Sequence, residues 1–100
     1  MAKTKQQIIT EIENYINNNG GGFSAWYVGI ASKPRDRLFN DHNVRENGDA
    51  WIYREATSST VAREVEDHFI DVKGTQGGGG GGDYDSRNDY AYKIKPHTRE

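Results

Sequence analysis

The sequence predicts an α+β fold in which helices flank a small, three-stranded, mainly antiparallel sheet. Apolar residues recur at helical spacing in some segments, and three short segments are rich in aromatic and β-branched residues, as strands are. The chain has 100 residues, of which 33% are hydrophobic and 11% aromatic, enough for one compact core and too few for two. We therefore expect residues 1–100 to form a single domain with the order helix, strand, helix, strand, helix, strand.

The first helix is predicted over residues 4–16. The run NNNGGG at 17–22 ends it, so residues 1–20 form an N-terminal helical segment. Thr4 and Gln7 have the spacing of a capping box. The apolar residues form one stripe, which predicts a packing role: Ile8, Ile9, Ile12, Tyr15 and Ile16.

The first strand is predicted over residues 23–31 (FSAWYVGIA), which lie between glycines and a polar segment. Ser32 is expected to cap a short helix that has Pro34 in its first turn and extends to about residue 42. The apolar side of this helix consists of Leu38, Phe39 and His42. A second strand is predicted over residues 51–56 (WIYREA).

The third helix is predicted over about residues 60–72, where Ser58, Ser59 and Thr60 supply the cap. Its apolar residues recur at helical spacing and are expected to face the core. This stripe consists of Val61, Val65, Phe69 and Val72.

The last strand is predicted over residues 90–95 (YAYKIK). Alternation along a strand places Tyr90, Tyr92 and Ile94 on one face. We expect this strand to pair with the strand that contains residues 25–30.

The glycine-rich loop at 74–89 contains six consecutive glycines, at 77–82. Two interpretations stay open. A flexible connector is the interpretation that this composition favours. The alternative is that the backbone N–H groups bind phosphate.

Composition excludes several classes of function. The chain has no cysteine, which excludes disulfides, zinc–thiolate sites and thiol nucleophiles. No apolar run approaches the roughly 18 residues of a membrane span, and the N-terminus lacks a signal peptide's apolar region. We therefore expect a soluble cytoplasmic protein with no membrane partner. The net charge of −2 does not indicate a broadly basic nucleic-acid binder, although Lys33, Arg35 and Arg37 form a local basic cluster.

Among the acidic residues of the third helix, Glu66 is the best placed to bind a metal ion. At 100° per residue, Glu66 lies between Ala62 and Ile70 at the border of the apolar stripe. Glu64 and Asp67 lie well outside that border. A carboxylate half inside a core is unfavourable unless it meets a cation or a hydrogen-bond donor. The alternative is an ordinary boundary glutamate, which the pattern alone favours.

The tripeptide Tyr-Val-Gly at 27–29 is followed by a short helix with Arg37 eight residues after the glycine. This arrangement resembles the second half of the motif that names the GIY-YIG endonucleases. Further on, VEDHFI at 65–70 is similar to the helix that carries the family's single metal-binding glutamate, which here is Glu66. The resemblance covers residues 23–72.

The resemblance implies a GIY-YIG-like fold and metal-dependent hydrolysis of phosphodiester bonds in DNA, with Mg²⁺ or Mn²⁺ as the cofactor. It assigns the attacking water to Tyr27, the scissile phosphate to Arg37 and the metal ion to Glu66. His42, five residues after the arginine, would support the nucleophile or contact phosphate. Arg35 is an alternative to Arg37, because helix phase favours Arg35 whereas spacing from the glycine favours Arg37.

The family's first strand, with its Gly-Ile-Tyr signature, has no counterpart in residues 17–26 (NNNGGGFSAW). If the strand at 90–95 takes that place in the sheet, Tyr90 or Tyr92 replaces the missing tyrosine, and at least one of them should approach Tyr27. Two other functions stay open. One is a GIY-YIG-like module that binds nucleic acid or protein without cutting, and the other is an α+β domain with no site.

Overall fold

In the computed structural model, which describes residues 2–77 and 86–100, three helices flank one sheet of three antiparallel strands. The elements are α1 (Lys5–Asn19), β1 (Trp26–Ala31), α2 (Pro34–Asp36, extended by a π-helical turn over Arg37–Asp41), β2 (Trp51–Glu55), α3 (Ser59–Asp67, extended by π-helical turns over His68–Lys73) and β3 (Asn88–Lys93). This architecture confirms the α+β class and the predicted order of elements. Of the glycine run at 77–82, all but Gly77 lies outside the described residues, and so do the two interpretations of that run. None of the helices described is both long enough and apolar enough to cross a bilayer.

The last strand is the central one, and β1 and β2 pair with it on either side. The predicted pairing of this strand with the strand around residues 25–30 is confirmed, although β3 begins earlier than predicted, at Asn88. Tyr27 lies opposite Tyr92, which in turn lies opposite Trp51 of β2. Because directly paired residues point to the same side of a sheet, one face carries a row of three aromatic side chains.

Different elements cover the two faces of the sheet. One face packs against α1 and α3 and forms the larger core. The fully buried side chains of this core include Ile8, Ile12, Ile16, Trp26, Val28, Val65 and Phe69. On the other face, Leu38 of α2 and Val44 pack against Tyr90 and Tyr92 of β3. This second face carries the candidate site.

Two helices begin where the sequence predicts a cap. The Thr4 hydroxyl accepts a hydrogen bond from the backbone N–H of Gln7, and the Gln7 side chain accepts one from the backbone of Thr4, which confirms the capping box. Ser58 accepts from the backbone N–H of Val61 at the start of α3. These caps set the starts of the two helices that cover the larger core.

Two other element starts differ from the prediction. Phe23–Ala25, predicted as strand, forms a 3₁₀ turn, and β1 begins at Trp26. The glycines at 20–22 all have positive φ, which glycine adopts easily, so the chain is still turning before it becomes extended. Ser32 does not cap α2, because Lys33 occupies the cap position and no side chain makes a capping bond there.

The buried stripe of α3 ends earlier than predicted. Val72, predicted to face the core, is 69% exposed, whereas Phe69 is fully buried. The backbone N–H of Gly74 bonds the carbonyl of Phe69, five residues back. Such π-helical turns shift later residues away from the 100° spacing of an α-helix, and this shift brings Val72 to the surface.

Candidate active site on the tyrosine face of the sheet

A cluster of four aromatic rings, the tyrosine–histidine cluster, consists of Tyr27, His42, Tyr90 and Tyr92. Tyr27 of β1 stacks on Tyr92 of β3, with ring centroids 5.3 Å and ring planes 19° apart. The His42 ring centroid lies 4.8 Å from that of Tyr27, 5.0 Å from that of Tyr92 and 5.5 Å from that of Tyr90. Tyr27 is partly exposed, whereas the other three residues are buried. Tyr27 is therefore the member of the cluster that meets solvent.

The hydrogen bonds of His42 indicate which ring nitrogen carries the proton. Nδ1 lies against the backbone carbonyl oxygen of Arg99, and a carbonyl only accepts, so Nδ1 donates. Burial lowers the pKa of His42, and the charge of Arg37 adds to this, although the bond to Arg99 opposes it. In the neutral ring Nε2 is an acceptor, and the Tyr90 hydroxyl oxygen lies 2.7 Å from it. His42 is therefore a neutral base that accepts a hydrogen bond from a phenol.

Gly29 makes room for the Tyr90 ring. The two residues lie directly opposite each other on β1 and β3. A Cβ atom built on Gly29 would lie 2.6 Å from the Tyr90 hydroxyl oxygen and 2.7 Å from its Cζ atom. The glycine of the Tyr-Val-Gly tripeptide is thus required for space, since any side chain there would displace the hydroxyl from His42.

Arg37 lies at the mouth of a shallow cleft that Lys33 also lines. Its Nε atom is 3.6 Å from the carboxylate of Asp41, and its side chain is 39% exposed. The charge of Arg37 acts on two members of the tyrosine–histidine cluster, where it lowers the pKa of His42 and of Tyr90.

Arg35 lies elsewhere. Its Nη2 atom pairs with the carboxylate of Glu46 at 2.5 Å, and its guanidinium carbon lies 5.7 Å from the ring centroid of Trp51 on the edge strand. Of the two arginines that the sequence leaves open, the geometry favours Arg37 as the one beside the cluster.

Glu66 is more deeply buried than its predicted boundary position. It is 3% exposed, and burial, followed by the charge of Asp67, raises the pKa of Glu66 to about 7. Its charge also acts on Tyr90 and on Asp89 of β3. Helix α3 covers the face of the sheet opposite the tyrosine–histidine cluster, so Glu66 approaches the central strand from the other side of the sheet than Tyr27.

Asp89 is a second buried acid, and no sequence pattern points to it. It has no exposed surface, and neither carboxylate oxygen has a hydrogen-bond partner in the part of the chain that the structure describes. Burial, followed by the charge of Glu66, raises the pKa of Asp89 to about 9. Because Asp89 comes directly after a polar loop in the sequence, its place inside β3 is visible only from the strand register.

Groups of different chemistry thus act on one phenol. Burial and then the charge of Tyr27 raise the pKa of Tyr90, Arg37 lowers it, and Glu66 raises it. The Tyr90 hydroxyl contacts the His42 imidazole directly, whereas Tyr27, Arg37 and Glu66 act on it through their charges. Within residues 2–77 and 86–100, no three or more His, Asp or Glu side chains are grouped as metal ligands.

Comparison of the chain with known protein families, with curated proteins and with solved structures found no match.

Proposed function

We propose that the protein is a divalent-metal-dependent endonuclease that hydrolyses phosphodiester bonds in DNA, acting through Tyr27, Arg37, His42 and Glu66. The observation that carries this proposal is the bond between the Tyr90 hydroxyl and Nε2 of a neutral His42. It supplies a base in a site where the charge of Arg37 also acts, and the charge of Glu66 reaches the same phenol from the other face of the sheet. The resemblance of the Tyr-Val-Gly segment to the GIY-YIG endonucleases supports the same reaction.

Hydrolysis of a phosphodiester needs positive charge on the phosphate and a base for the attacking water. Arg37, partly exposed and paired with Asp41 at 3.6 Å, holds the phosphate. Tyr27, the exposed member of the cluster, orients the water. As the water oxygen bonds to phosphorus and the bond to the leaving oxygen breaks, the Tyr90 oxygen takes the water proton and passes its own to Nε2 of His42, and the leaving oxygen takes a proton from solvent.

Glu66 suits one Mg²⁺ or Mn²⁺ ion. Burial disfavours its charged form and raises its pKa to about 7, and a cation next to the carboxylate would favour ionisation again. A single carboxylate is typical of Mg²⁺, which keeps several waters and binds substrate phosphates. When bound, the ion stabilises the negative charge that develops on the phosphate.

A second candidate function is the binding of nucleic acid or protein without cleavage. The observation that favours it is the burial of Glu66, 3% exposed, and of Tyr90, 2% exposed. A substrate in this conformation reaches little of either side chain. A cleavage assay distinguishes the nuclease from a module that only binds.

The test is Mg²⁺-dependent nicking of supercoiled plasmid by the wild type and by Glu66→Gln. The substitution removes the anionic ligand and preserves the size of the side chain, so we expect nicking to fall roughly 100-fold or more. The fold and most of the DNA affinity should be retained. Arg37→Ala should lose both cleavage and some phosphate binding, with a shallower dependence of affinity on salt.

The matched control is Glu64→Gln, which makes the same charge change on the same helix. The Glu64 side chain is 50% exposed and lies 3.9 Å from Nζ of Lys5, so nicking should be unchanged. Equal nicking by Glu66→Gln and the wild type would contradict the assignment of Glu66. Failure of the wild type to nick any form of DNA would favour binding without cleavage.

A further inference from the structure

A flat aromatic surface lies on the same face of the sheet, at the β2 edge. Trp51 lies opposite Tyr92 and Tyr53 lies opposite Tyr90, so both rings continue the tyrosine–histidine cluster across the sheet. Trp51 and Tyr53 are partly exposed, unlike the buried tyrosines of β3. The surface, here called the aromatic edge, consists of Arg35, Phe39, Trp51 and Tyr53.

Contacts with neighbouring side chains fix the orientation of each ring of the aromatic edge. The planes of Trp51 and Tyr53 are 9° apart, with centroids at 6.2 Å. Phe39 meets Trp51 edge-on at 5.0 Å, and Nε1 of Trp51 donates to the carbonyl oxygen of Glu46 at 3.0 Å. The guanidinium of Arg35 lies 5.7 Å from the Trp51 centroid and 5.1 Å from that of Phe39. Flat rings beside a guanidinium offer stacking partners for unpaired bases.

Shallow clefts connect the aromatic edge to the candidate active site. Lys33 and Arg37 line one cleft, and Lys33, Arg35 and Tyr53 line the next. Trp51 lies in a third cleft with Arg35 and Tyr53. Consecutive clefts share lining residues, since Lys33 lines the first two and both Arg35 and Tyr53 line the last two.

Basic and acidic residues occur together along these clefts, and Asp36 lines both of the clefts that Lys33 lines. Arg37 and Arg35 are each paired with one acid, Asp41 and Glu46. Lys33, which lines one cleft with Arg37 and the next with Arg35, is exposed and forms no ion pair with any described residue. An exposed cation between a base-stacking surface and the candidate active site is well placed to hold a phosphate between them.

We propose that the aromatic edge binds unpaired nucleotides of the DNA strand that is cut, with bases stacked on Trp51 and Tyr53 and a phosphate at Lys33. This inference rests on the proposed nuclease function and specifies its substrate class, DNA that has a single-stranded segment next to the cleaved bond. Base–aromatic stacking is tolerant of sequence, so the surface selects unpaired over paired DNA rather than one sequence over another.

Trp51 supplies a direct probe of binding. The sequence has two tryptophans. Trp26 is fully buried, and its Nε1 donates to the carbonyl oxygen of Gly20 at 3.0 Å, so quenching by a bound base will come from Trp51. We expect an oligothymidylate of about 12 nucleotides to quench the wild-type emission in EDTA, where no cleavage occurs, and the same strand within a duplex to quench it much less.

Three substitutions test the surface: Trp51→Leu, Tyr53→Leu and Arg35→Gln. Binding is measured by the fluorescence anisotropy of a labelled oligothymidylate. We expect the loss of one stacking ring to weaken the affinity of the protein for this strand roughly 5- to 150-fold. The matched control is Phe23→Leu, which removes another partly exposed ring with a cation, Lys73 at 5.6 Å, above it. If Trp51→Leu fails to fold, Tyr53→Leu and Arg35→Gln, tested against Lys5→Gln as the charge control, still decide the question.

The outcomes separate this inference from the proposed function. Quenching by single-stranded DNA that depends on the aromatic edge supports the inference, even if no DNA is nicked. Absence of quenching, or equal weakening by Phe23→Leu and Trp51→Leu, overturns it, even if plasmid is nicked. Binding of the duplex with the same affinity and the same dependence on Trp51 would also overturn it.

Discussion

Replacement of Asp89 by asparagine should change how the stability of the protein depends on pH. Asp89 lies on the central strand with no exposed surface, and neither of its carboxylate oxygens has a hydrogen-bond partner among the residues described. Burial, and then the charge of Glu66, raises its pKa from 3.8 to about 9. The folded chain therefore keeps this proton up to about pH 9, whereas the unfolded chain loses it above pH 3.8.

The sign and size of the effect follow from proton linkage. Between these two pKa values the unfolded state binds fewer protons, so the free energy of unfolding decreases as pH rises. The contribution of Asp89 is fully present below pH 3.8 and is lost progressively up to about pH 9, by about 1.4 kcal/mol per pH unit. From about pH 4 to pH 7 the loss is about 4 kcal/mol. That is large against the roughly 5–15 kcal/mol that stabilises a typical domain.

The assay is urea unfolding of the wild type and Asp89→Asn between about pH 5 and pH 8, followed by far-UV circular dichroism. Asparagine has the size of aspartic acid and no charge, so a constant cost of the buried amide cancels when the difference is compared between pH values. We expect Asp89→Asn to gain about 1.4 kcal/mol on the wild type for each unit of increasing pH. The control is Asp71→Asn, which makes the same substitution at an exposed position. Its free energy of unfolding should depend on pH as that of the wild type does. A difference that stays constant with pH would mean that Asp89 is ionised in the folded state and would refute this reasoning.

Two further predictions concern the central strand. Gly29→Ala places a Cβ atom 2.6 Å from the Tyr90 hydroxyl oxygen, so the Tyr90 ring must move away from His42. We expect lower cleavage, and a rise in the pKa of His42, measured by NMR, because water then reaches the imidazole. An unchanged titration of His42 would contradict this prediction. Deletion of residues 90–100 removes most of β3, which pairs with both other strands, so the shortened chain should show no cooperative thermal transition, and unchanged melting would refute the central role of β3.

Local sequence signals predicted most of the fold because they act over a few residues. The capping box at Thr4 and the cap at Ser58 depend on neighbours three positions away, and the isoleucine stripe of α1 depends on one helical period. The exposed position of Val72 was not predictable in this way, since it follows from a helix that widens after Asp67. Helical phase holds only as long as the hydrogen-bonding pattern that sets it.

The site was predictable only in part. Spacing from the glycine favours Arg37 and helix phase favours Arg35, so the sequence left both arginines open, whereas the helical angle of Glu66 marked it as unusual among its neighbours. That angle predicted a boundary position, whereas α3 and the sheet together leave Glu66 only 3% exposed. Asp89 escaped prediction because its burial depends on strand pairing, which no local pattern encodes.

The bond between Tyr90 and His42 joins residues 48 positions apart, and the register of the sheet explains how they meet. Strand β3 comes last in the chain yet lies between the first two strands. Antiparallel hydrogen bonding requires only that a strand run opposite to its neighbours, whichever part of the chain supplies it. The tyrosine that lies across from Gly29 therefore comes from the last strand of the chain, because strand pairing sets Tyr90 opposite that glycine. Gly29 leaves space for the Tyr90 ring, so a residue of β1 reflects a contact with a strand that lies far away in the sequence.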